Sequence, residues 1–398
     1  MKVHNIIIKI LSLFVILVIA VIQSCGEYVA NSPIEKDNVA PAPIFNAVVE
    51  NLPGAALISY SLPSDDDLLY VLARYTNKDG KIFDFRSSYY TNRIMVEGFG
   101  DMNEYTINLY AVDRSENKSA PLAVKINPLE SQANITARSL DIKPDFGGMS
   151  FTFSNDSEAD LAFVILTKDV DSVLIVAETF FTSRASAKFA VRGYDAEPRL
   201  FGVVVRDKWG NLSDTIFKEL IPIYEIRLDK SLFRPKVFPN DAPATHWGGS
   251  LEYIWDDIVS DKAAHTGNDA TTEPKHISFD LGVNAKLSRI NLKTIPDDKH
   301  WYNDVSPRFY EVWGSMDPDP SGSLDSWIKL ATVENIKPSG LSIGTITEDD
   351  REAGRNGDDF DIPIEMPQVR YLRIRSLRNW SGNTNMCISE ITVWGNDK

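Results

Sequence analysis

The chain has 398 residues and a formal charge of −15, from 56 acidic and 41 basic side chains. This excess of negative charge repels phosphate groups, which argues against nucleic acid and anionic lipid headgroups as partners. The length is enough for about three domains of ordinary size.

The first 24 residues have the pattern of a secretory signal peptide. Lys2 and Lys9 precede an apolar run from Ile10 to Ile22, which is followed by Gln23-Ser-Cys25. The alternative is a transmembrane anchor, but that needs ~20 apolar residues, and this run is shorter. The cysteine at the cleavage position predicts a bacterial lipoprotein that is cut before Cys25 and acylated on it. Residues 25–43 are polar and contain prolines, which predicts an extended tether.

The middle of the chain contains an internal repeat. Asp113-Arg-Ser-Glu-Asn-Lys-Ser119 aligns with Asp207-Lys-Trp-Gly-Asn-Leu-Ser213 at an offset of 94 residues, and an apolar strand pattern precedes both segments. Each unit of about 90 residues holds several short strands with turn signals between them, a pattern typical of an immunoglobulin-like or fibronectin type III-like sandwich. We assign residues 44–128 and 129–230 to two such sandwiches.

Residues 231–398 alternate apolar and polar side chains in short runs separated by Gly, Pro, Asp and Asn. This pattern predicts antiparallel strands in a sandwich or barrel. The ordered set Asp280-Leu-Gly282, Trp313-Gly-Ser315, Arg370-Tyr-Leu-Arg373 and Ser389-Glu-Ile391 resembles the discoidin, or coagulation factor V/VIII type C, family. The resemblance implies a galactose-binding-like jelly roll. The predicted fold class is therefore all-β, with two tandem β-sandwiches followed by a C-terminal jelly-roll β-sandwich.

The whole layout resembles a surface lipoprotein of the Bacteroidota, in which two sandwich modules precede a discoidin-like domain. The resemblance implies glycan capture beside uptake machinery. We therefore expect a lipid-anchored protein in the outer membrane that faces the cell exterior. Its expected partners are an oligo- or polysaccharide and an outer-membrane transporter complex.

The sequence lacks several motifs of common catalytic sites. It contains no His-Glu-x-x-His, no phosphate-binding loop and no clustered Cys/His metal set. Paired carboxylates such as Asp256-Asp257 are expected in solvated turns of so acidic a chain. Because the three modules use almost all of the mature chain, we expect no enzyme, and any catalysis would have to be built from their loops.

Three tryptophans lie in loops among polar residues. Sugar-binding proteins use an exposed ring to cover the C–H face of the sugar, and neighbouring polar groups bond the hydroxyls. The predicted carbohydrate site consists of His300, Trp301, Arg308, Trp380 and Asn383. Trp247 is a second candidate. The alternative is that these tryptophans are half-buried and hold their loops in place.

A structural cation is the other candidate ligand. The resemblance implies Ca²⁺ held between an early Trp-Asp loop and a late glutamate, which match Trp255-Asp256 and Glu390 here. Ca²⁺ takes six to eight oxygen ligands, which carboxylates and loop carbonyls supply. In this chain Asp257 replaces the glycine of the family's loop. A capped turn with a hydrogen-bonded Glu390 is the alternative.

Two classes of function therefore stay open. Glycan capture requires a small concave site with one or two exposed rings. A protein-interaction or adhesion component of an uptake complex requires a broad apolar patch of standard interface size.

The anchor can be tested directly. Cys25→Ser should leave the protein uncleaved or soluble, because the acylated residue is lost and we expect no other hydrophobic membrane anchor after it. The measurement is the amount of mature-size protein that detergent extracts from the membrane fraction. A mature Cys25→Ser form that stays tightly membrane-bound would reveal another attachment.

Overall fold

The computed structural model describes residues 37–78, 80–268 and 274–398, and it divides into two compact units, one up to Ile135 and one from Thr136. The predicted signal peptide and Cys25 lie outside the described residues. The regular structure is almost entirely antiparallel β, which confirms the predicted fold class. Among the described residues, no helix has both the length and the apolar character needed to cross a membrane.

The first sandwich consists of seven strands in two sheets. The strands are β1 (Phe45–Leu52), β2 (Ala55–Ser61), β3 (Leu68–Thr76), β4 (Ile82–Ser88), β5 (Arg93–Glu97), β6 (Tyr105–Asp113) and β7 (Leu122–Ile126). One sheet has the order β1-β2-β5 and the other the order β4-β3-β6-β7. Alternate residues of β6, including Ile107 and Leu109, are fully buried between them. This burial explains the alternating pattern in the sequence.

The second sandwich repeats this arrangement. Its strands are β8 (Asp141–Asp145), β9 (Gly148–Thr152), β10 (Leu161–Lys168), β11 (Leu174–Thr182), β12 (Lys188–Val191), β13 (Arg199–Asp207) and β14 (Ile216–Leu220). The sheet orders are β8-β9-β12 and β11-β10-β13-β14, the same orders as in the first sandwich with every strand number increased by seven. The internal repeat in the sequence is therefore a repeat of topology.

The repeated Asp-x-x-x-Asn-x-Ser segment forms the same turn in both sandwiches. Oδ1 of Asp113 accepts hydrogen bonds from the backbone N–H groups two and four residues later, both at 2.8 Å. Oδ1 of Asp207 does the same, both at 2.9 Å. The second carboxylate oxygen accepts from the side-chain amide of Asn117 or Asn211, at 3.0 and 2.8 Å. The sequence spacing thus reflects a turn held by its own side chains.

The C-terminal module contains the remaining ten strands. They are β15 (Ile226–Arg227), β16 (Arg234–Pro235), β17 (Ala264–His265), β18 (His276–Lys293), β19 (Pro307–Ser315), β20 (Ile328–Glu334), β21 (Asp358–Asp361), β22 (Val369–Asn379), β23 (Cys387–Ile388) and β24 (Glu390–Asn396). The main path has the order β15-β24-β18-β22-β19-β20, and β16 and β21 also pair with β18. β17 and β23 form a separate pair.

The long strand β18 passes through the jelly roll and changes partner along its length. Residues 276–280 pair with β22, whereas residues 286–293 pair with β24. The ladder with β22 is irregular between Asp280 and Ala285, and this stretch contains Gly282, whose φ is +74°. A Cβ at Gly282 would lie 2.4 Å from the carbonyl oxygen of Leu232, so a larger residue does not fit this bend.

In the part of the chain that the structure describes, two short α-helices interrupt the β structure. They are α1 (Gln132–Arg138) and α2 (Glu348–Asn356). α2 begins at a capping box, in which the Thr347 side chain accepts from the Asp350 N–H and the Asp350 side chain accepts from the Thr347 N–H. It ends at Gly357, whose φ is positive.

The serine of the repeated turn gives a stability prediction. Ser213 Oγ accepts from the buried Val205 N–H at 2.9 Å and donates to the Asp214 carbonyl at 2.9 Å. Ser213→Ala should lower the free energy of unfolding of the second sandwich by about 1–3 kcal/mol, because a buried donor loses its acceptor. The measurement is chemical denaturation followed by tryptophan fluorescence. The exposed Ser186 in the same sandwich is the matched control, and an equal effect of Ser186→Ala would contradict the prediction.

Candidate functional site

The loops at one end of the jelly roll converge, and we call this region the loop end. It comprises residues 244–249, 263–267, 294–306, 335–347 and 380–386. Backbone hydrogen bonds join these segments: Trp380 N donates to Ser306 O at 3.1 Å, Thr266 N to Met386 O at 3.0 Å, and His265 N to Ala244 O at 3.1 Å. The loop end is the region where the sequence placed its candidate site.

Trp247 is the most open aromatic ring of the loop end. Its side chain is 68% exposed. The backbone at Trp247 is in the left-handed region, with φ 50° and ψ 33°. A non-glycine residue in this conformation costs on the order of 1–3 kcal/mol, and such residues cluster at functional sites. Tyr302 and Asp304, also in the loop end, have positive φ as well.

Histidines surround this ring. The rings of His246 and His265 lie 4.6 and 5.6 Å from the Trp247 ring, both edge to face. Burial, together with repulsion from His300 and His246, lowers the pKa of His265, so its imidazole is neutral at pH 7. His265 Nδ1 is buried and has no hydrogen-bond partner among the described residues. Trp247 therefore presents an apolar face bordered by two imidazole rings.

His300 lies close enough to these groups to affect the pKa of His265. Its Nδ1 is 2.7 Å from Oδ1 of Asp297, three residues earlier in the same loop. Its backbone carbonyl accepts a hydrogen bond from Ser306 Oγ. His300 is therefore held in its loop by Asp297 and Ser306.

Trp301 is not an exposed stacking ring, contrary to the sequence prediction. Its side chain is only 8% exposed. Gly354 of α2 packs on the ring, and a Cβ at that position would lie 2.6 Å from the ring atoms. Because the helix covers the ring, Trp301 packs its loop against α2 and cannot stack on a sugar.

Arg308 and Trp380 contact each other as a pair. The Arg308 guanidinium carbon lies 4.4 Å from the centroid of the Trp380 ring, and Trp380 Nε1 donates to Asn335 Oδ1 at 2.7 Å. Tyr302 packs edge to face on the same ring at 5.7 Å. The pair lines a groove of about 370 Å³ together with the loop that follows β20. Arg308 takes part of the ring surface, so less of Trp380 than of Trp247 is available to a ligand.

Asn383 lies exposed in the loop between β22 and β23. Its backbone is held by Asn379: Asn379 N donates to Asn383 O at 2.7 Å, and Asn383 N donates to Asn379 Oδ1 at 2.9 Å. Of the five predicted residues, His300, Trp380 and Asn383 lie exposed or half-buried in the loop end. Arg308 lies beside it at the start of β19, and Trp301 is covered by α2. The signal for Trp247 was present in the sequence as a tryptophan beside a histidine in a polar loop.

The two predicted cation ligands, Asp256 and Glu390, differ from each other in burial and in hydrogen-bond partners. Glu390 is buried and ion-paired with the Lys230 ammonium, which also lies 2.8 Å from Asp257 Oδ1. Burial raises the pKa of Glu390, and Lys230 partly offsets this effect. Asp256 is exposed, and its Oδ1 accepts from the Ile258 N–H. Because an ammonium already neutralises Glu390, a Ca²⁺ ion there would have to displace Lys230.

A group of three carboxylates in the first sandwich is another place where acids meet. Asp37, Asp67 and Asp113 have oxygens within 4.8 Å of one another. The Asp113 oxygens accept the turn hydrogen bonds described above, and Asn117 Nδ2 also donates to Asp37 Oδ1 at 2.9 Å. Asp113 and Asp37 therefore serve as hydrogen-bond acceptors within the turn.

The Ca²⁺ site at Asp256 and Glu390 stays a prediction with a direct test. A ligand bound only to the native state stabilises it, by about 2.7 kcal/mol at 100 times its dissociation constant. EDTA should then lower the melting temperature of the C-terminal domain, and Glu390→Gln should remove this response. A melting curve unchanged by EDTA would leave the ion pair between Lys230 and Glu390 as the full account of this position.

Three family models match consecutive parts of the chain. Each is described as a domain of unknown function: DUF4959 matches residues 41–128, DUF5126 residues 129–231 and DUF5000 residues 255–395. A search of curated proteins gives no match.

Solved structures include a close relative in sequence. The SusE-like protein BT2857 is 48% identical, and the match covers 43% of this chain and 100% of that one, with a TM-score of 0.42. A chitobiase fragment from Bacteroides thetaiotaomicron is 18% identical, covering 44% of this chain and 94% of that one, with a TM-score of 0.30. A module named GH31 CBM32-2, solved with GalNAc, is 12% identical, covering 40% and 95%, with a TM-score of 0.28.

The fold and the loop end define a multi-module β protein with an exposed aromatic site. Because the match to the SusE-like protein is 48% identical over the whole of that protein, this chain belongs to the SusE-like family.

Proposed function

We propose that this protein is a non-catalytic glycan-binding protein of the cell surface, which captures its ligand at the loop end of the jelly roll. The observation that carries the proposal is the Trp247 ring, 68% exposed on a left-handed backbone and flanked by two histidine rings. A ring held in this way offers a flat apolar surface to the C–H face of a sugar. Membership of the SusE-like family supports the same function.

Polar groups around the ring supply hydroxyl partners. His246 flanks the Trp247 ring, and His300 and Asn383 lie in other loops of the loop end. The groove at Arg308 and Trp380 adds a guanidinium and a second, partly covered ring. A shallow site of this type binds weakly, with dissociation constants of roughly millimolar to micromolar, or about −4 to −8 kcal/mol.

The cellular arrangement is part of the proposal. Acylation of Cys25 would anchor the protein in the outer membrane facing outward, and the polar residues up to 43 would act as the tether. Weak capture is useful beside a transporter, because the bound glycan must be released for uptake. The discoidin-like resemblance of the C-terminal module supports a sugar as the ligand.

The test is binding of the mature chain, produced without its lipid, to a panel of polysaccharides in affinity gel electrophoresis. A suitable panel contains arabinogalactan, pectic galactan, xylan, yeast mannan and mucin. Trp247→Ala and Trp247→Gly should weaken binding to the retained polysaccharide at least tenfold, because the stacking surface is lost. Both variants should keep the melting temperature, since the ring is exposed and glycine relieves the left-handed backbone.

Tyr90→Ala is the control, because it removes an exposed ring (82% exposed) from the first sandwich. Equal binding by wild type and both Trp247 variants would contradict the site. Failure of the wild-type chain to bind any polysaccharide in the panel would favour the alternative, a protein-interaction component of an uptake complex.

A further inference from the structure

One edge of the second sandwich is open and apolar. β11 lies at the end of its four-stranded sheet, and among the described residues it pairs only with β10. Glu178 is the only charged residue of the strand. Its exposed apolar side chains are Leu174, Ile175, Val176 and Phe181. Because successive residues of a strand point to opposite faces of the sheet, apolar groups reach the solvent on both faces of this edge.

An open edge strand has the groups needed to pair with another strand. The backbone N–H and C=O groups on its outer side point away from its own sheet, and they form a template for a further strand. Natural sheets usually prevent such pairing with charged side chains, lysine above all. β11 contains no lysine or arginine, and residues 174–177 carry no charge at all. The edge therefore lacks the usual protection against pairing.

The first sandwich provides an internal comparison. β4 holds the position of β11 in the repeated topology, since the sheet orders are β4-β3-β6-β7 and β11-β10-β13-β14. β4 contains Asp84 and Arg86, and Lys81 directly precedes it. Arg74 donates to both carboxylate oxygens of Asp84, each at 2.6 Å. The fold thus accepts a charged strand at this edge, so the sandwich itself does not require the apolar composition of β11.

The composition of β11 indicates a second copy of this chain as the occupant of the edge. The complement of an apolar, β-branched strand is another strand of the same kind, and β11 itself is such a strand. Antiparallel pairing about a two-fold axis at Val176 joins residues 174–178 of the two copies and sets Glu178 opposite Leu174. An axis at Ala177 joins residues 174–180 and sets Glu178 opposite Val176. In both registers the two Glu178 carboxylates are not opposite each other, so charge does not oppose the pairing.

We propose that β11 is a self-association edge, through which two copies of this chain join their four-stranded sheets into one antiparallel sheet. This interaction goes beyond the glycan function and does not depend on it. The contact is short, so we expect a weak dimer with a dissociation constant of at most about 100 µM. A dimer carries two loop ends, and a polymer held by both is retained more strongly because the second contact is intramolecular.

The experiment is sedimentation velocity of the mature chain, produced without its lipid, at concentrations up to about 0.3 mM in about 0.15 M salt. The wild type should change from monomer to dimer as the concentration rises. Val176→Glu places a carboxylate opposite its own copy or opposite Glu178, and should raise the dissociation constant at least tenfold. Its melting temperature should stay close to that of the wild type, because Val176 is 58% exposed. Leu174→Glu tests the same edge at a second position and should have the same effect.

Ile82→Glu is the matched control. Ile82 is also 58% exposed, lies on the corresponding edge strand β4, and receives the same added charge. This variant should dimerise like the wild type, and an equal loss of dimer in Ile82→Glu and Val176→Glu would contradict the proposal. A dimer that persists in both Val176→Glu and Leu174→Glu forms through another surface and also contradicts it. A wild type that stays monomeric at the highest concentration overturns the proposal and leaves a strand of a different protein as the occupant of the edge.

Discussion

The bend of β18 at Gly282 is the constraint on which the C-terminal module depends. One strand serves both sheets because its two halves pair with different neighbours. Asp280 supports the bend: its Oδ1 accepts from the Gly282 N–H at 2.7 Å, and its carboxylate takes two hydrogen bonds from Arg370, at 2.9 and 3.0 Å. The guanidinium and the backbone donor lower the pKa of Asp280 despite its burial, so it stays ionised at neutral pH. The first long segment of the loop end, 294–306, follows directly after the end of this strand at Lys293.

The tryptophans of two His-Trp pairs in that module differ in exposure. His246-Trp247 and His300-Trp301 both lie in polar loops, and local sequence gives no reason to separate them. In the structure Gly354 of α2 packs on Trp301, whereas Trp247 stands largely in solvent on a left-handed backbone. The two rings differ in exposure because a helix about fifty residues further along the chain packs on Trp301. This is a tertiary contact. Trp247 is thus the ring of the two that the fold leaves uncovered.

The buried ion pair between Lys230 and Glu390 shows that a sequence pattern does not predict which group neutralises a buried carboxylate. A late glutamate opposite an early acidic loop predicted Ca²⁺, whereas the positive charge beside Glu390 in the structure is the Lys230 ammonium. Lys230 is 160 positions away in sequence from Glu390. A buried carboxylate needs a positive charge or a proton, but its sequence neighbours do not specify which group supplies it.

The sequence by itself determined the features that depend on local chemistry. Strand alternation, the 94-residue repeat and the Asp-x-x-x-Asn-x-Ser turn all depend on residues that are close in the chain, and all reappear in the structure. The start of α2 was also readable, from Thr347 and Asp350 followed by Gly357, although the β pattern around it concealed the signal. Only the tertiary structure decided which tryptophan is exposed and which histidine rings contact it. Those outcomes depend on which distant segments cover a side chain, and burial by a distant segment leaves no periodic signal in the sequence.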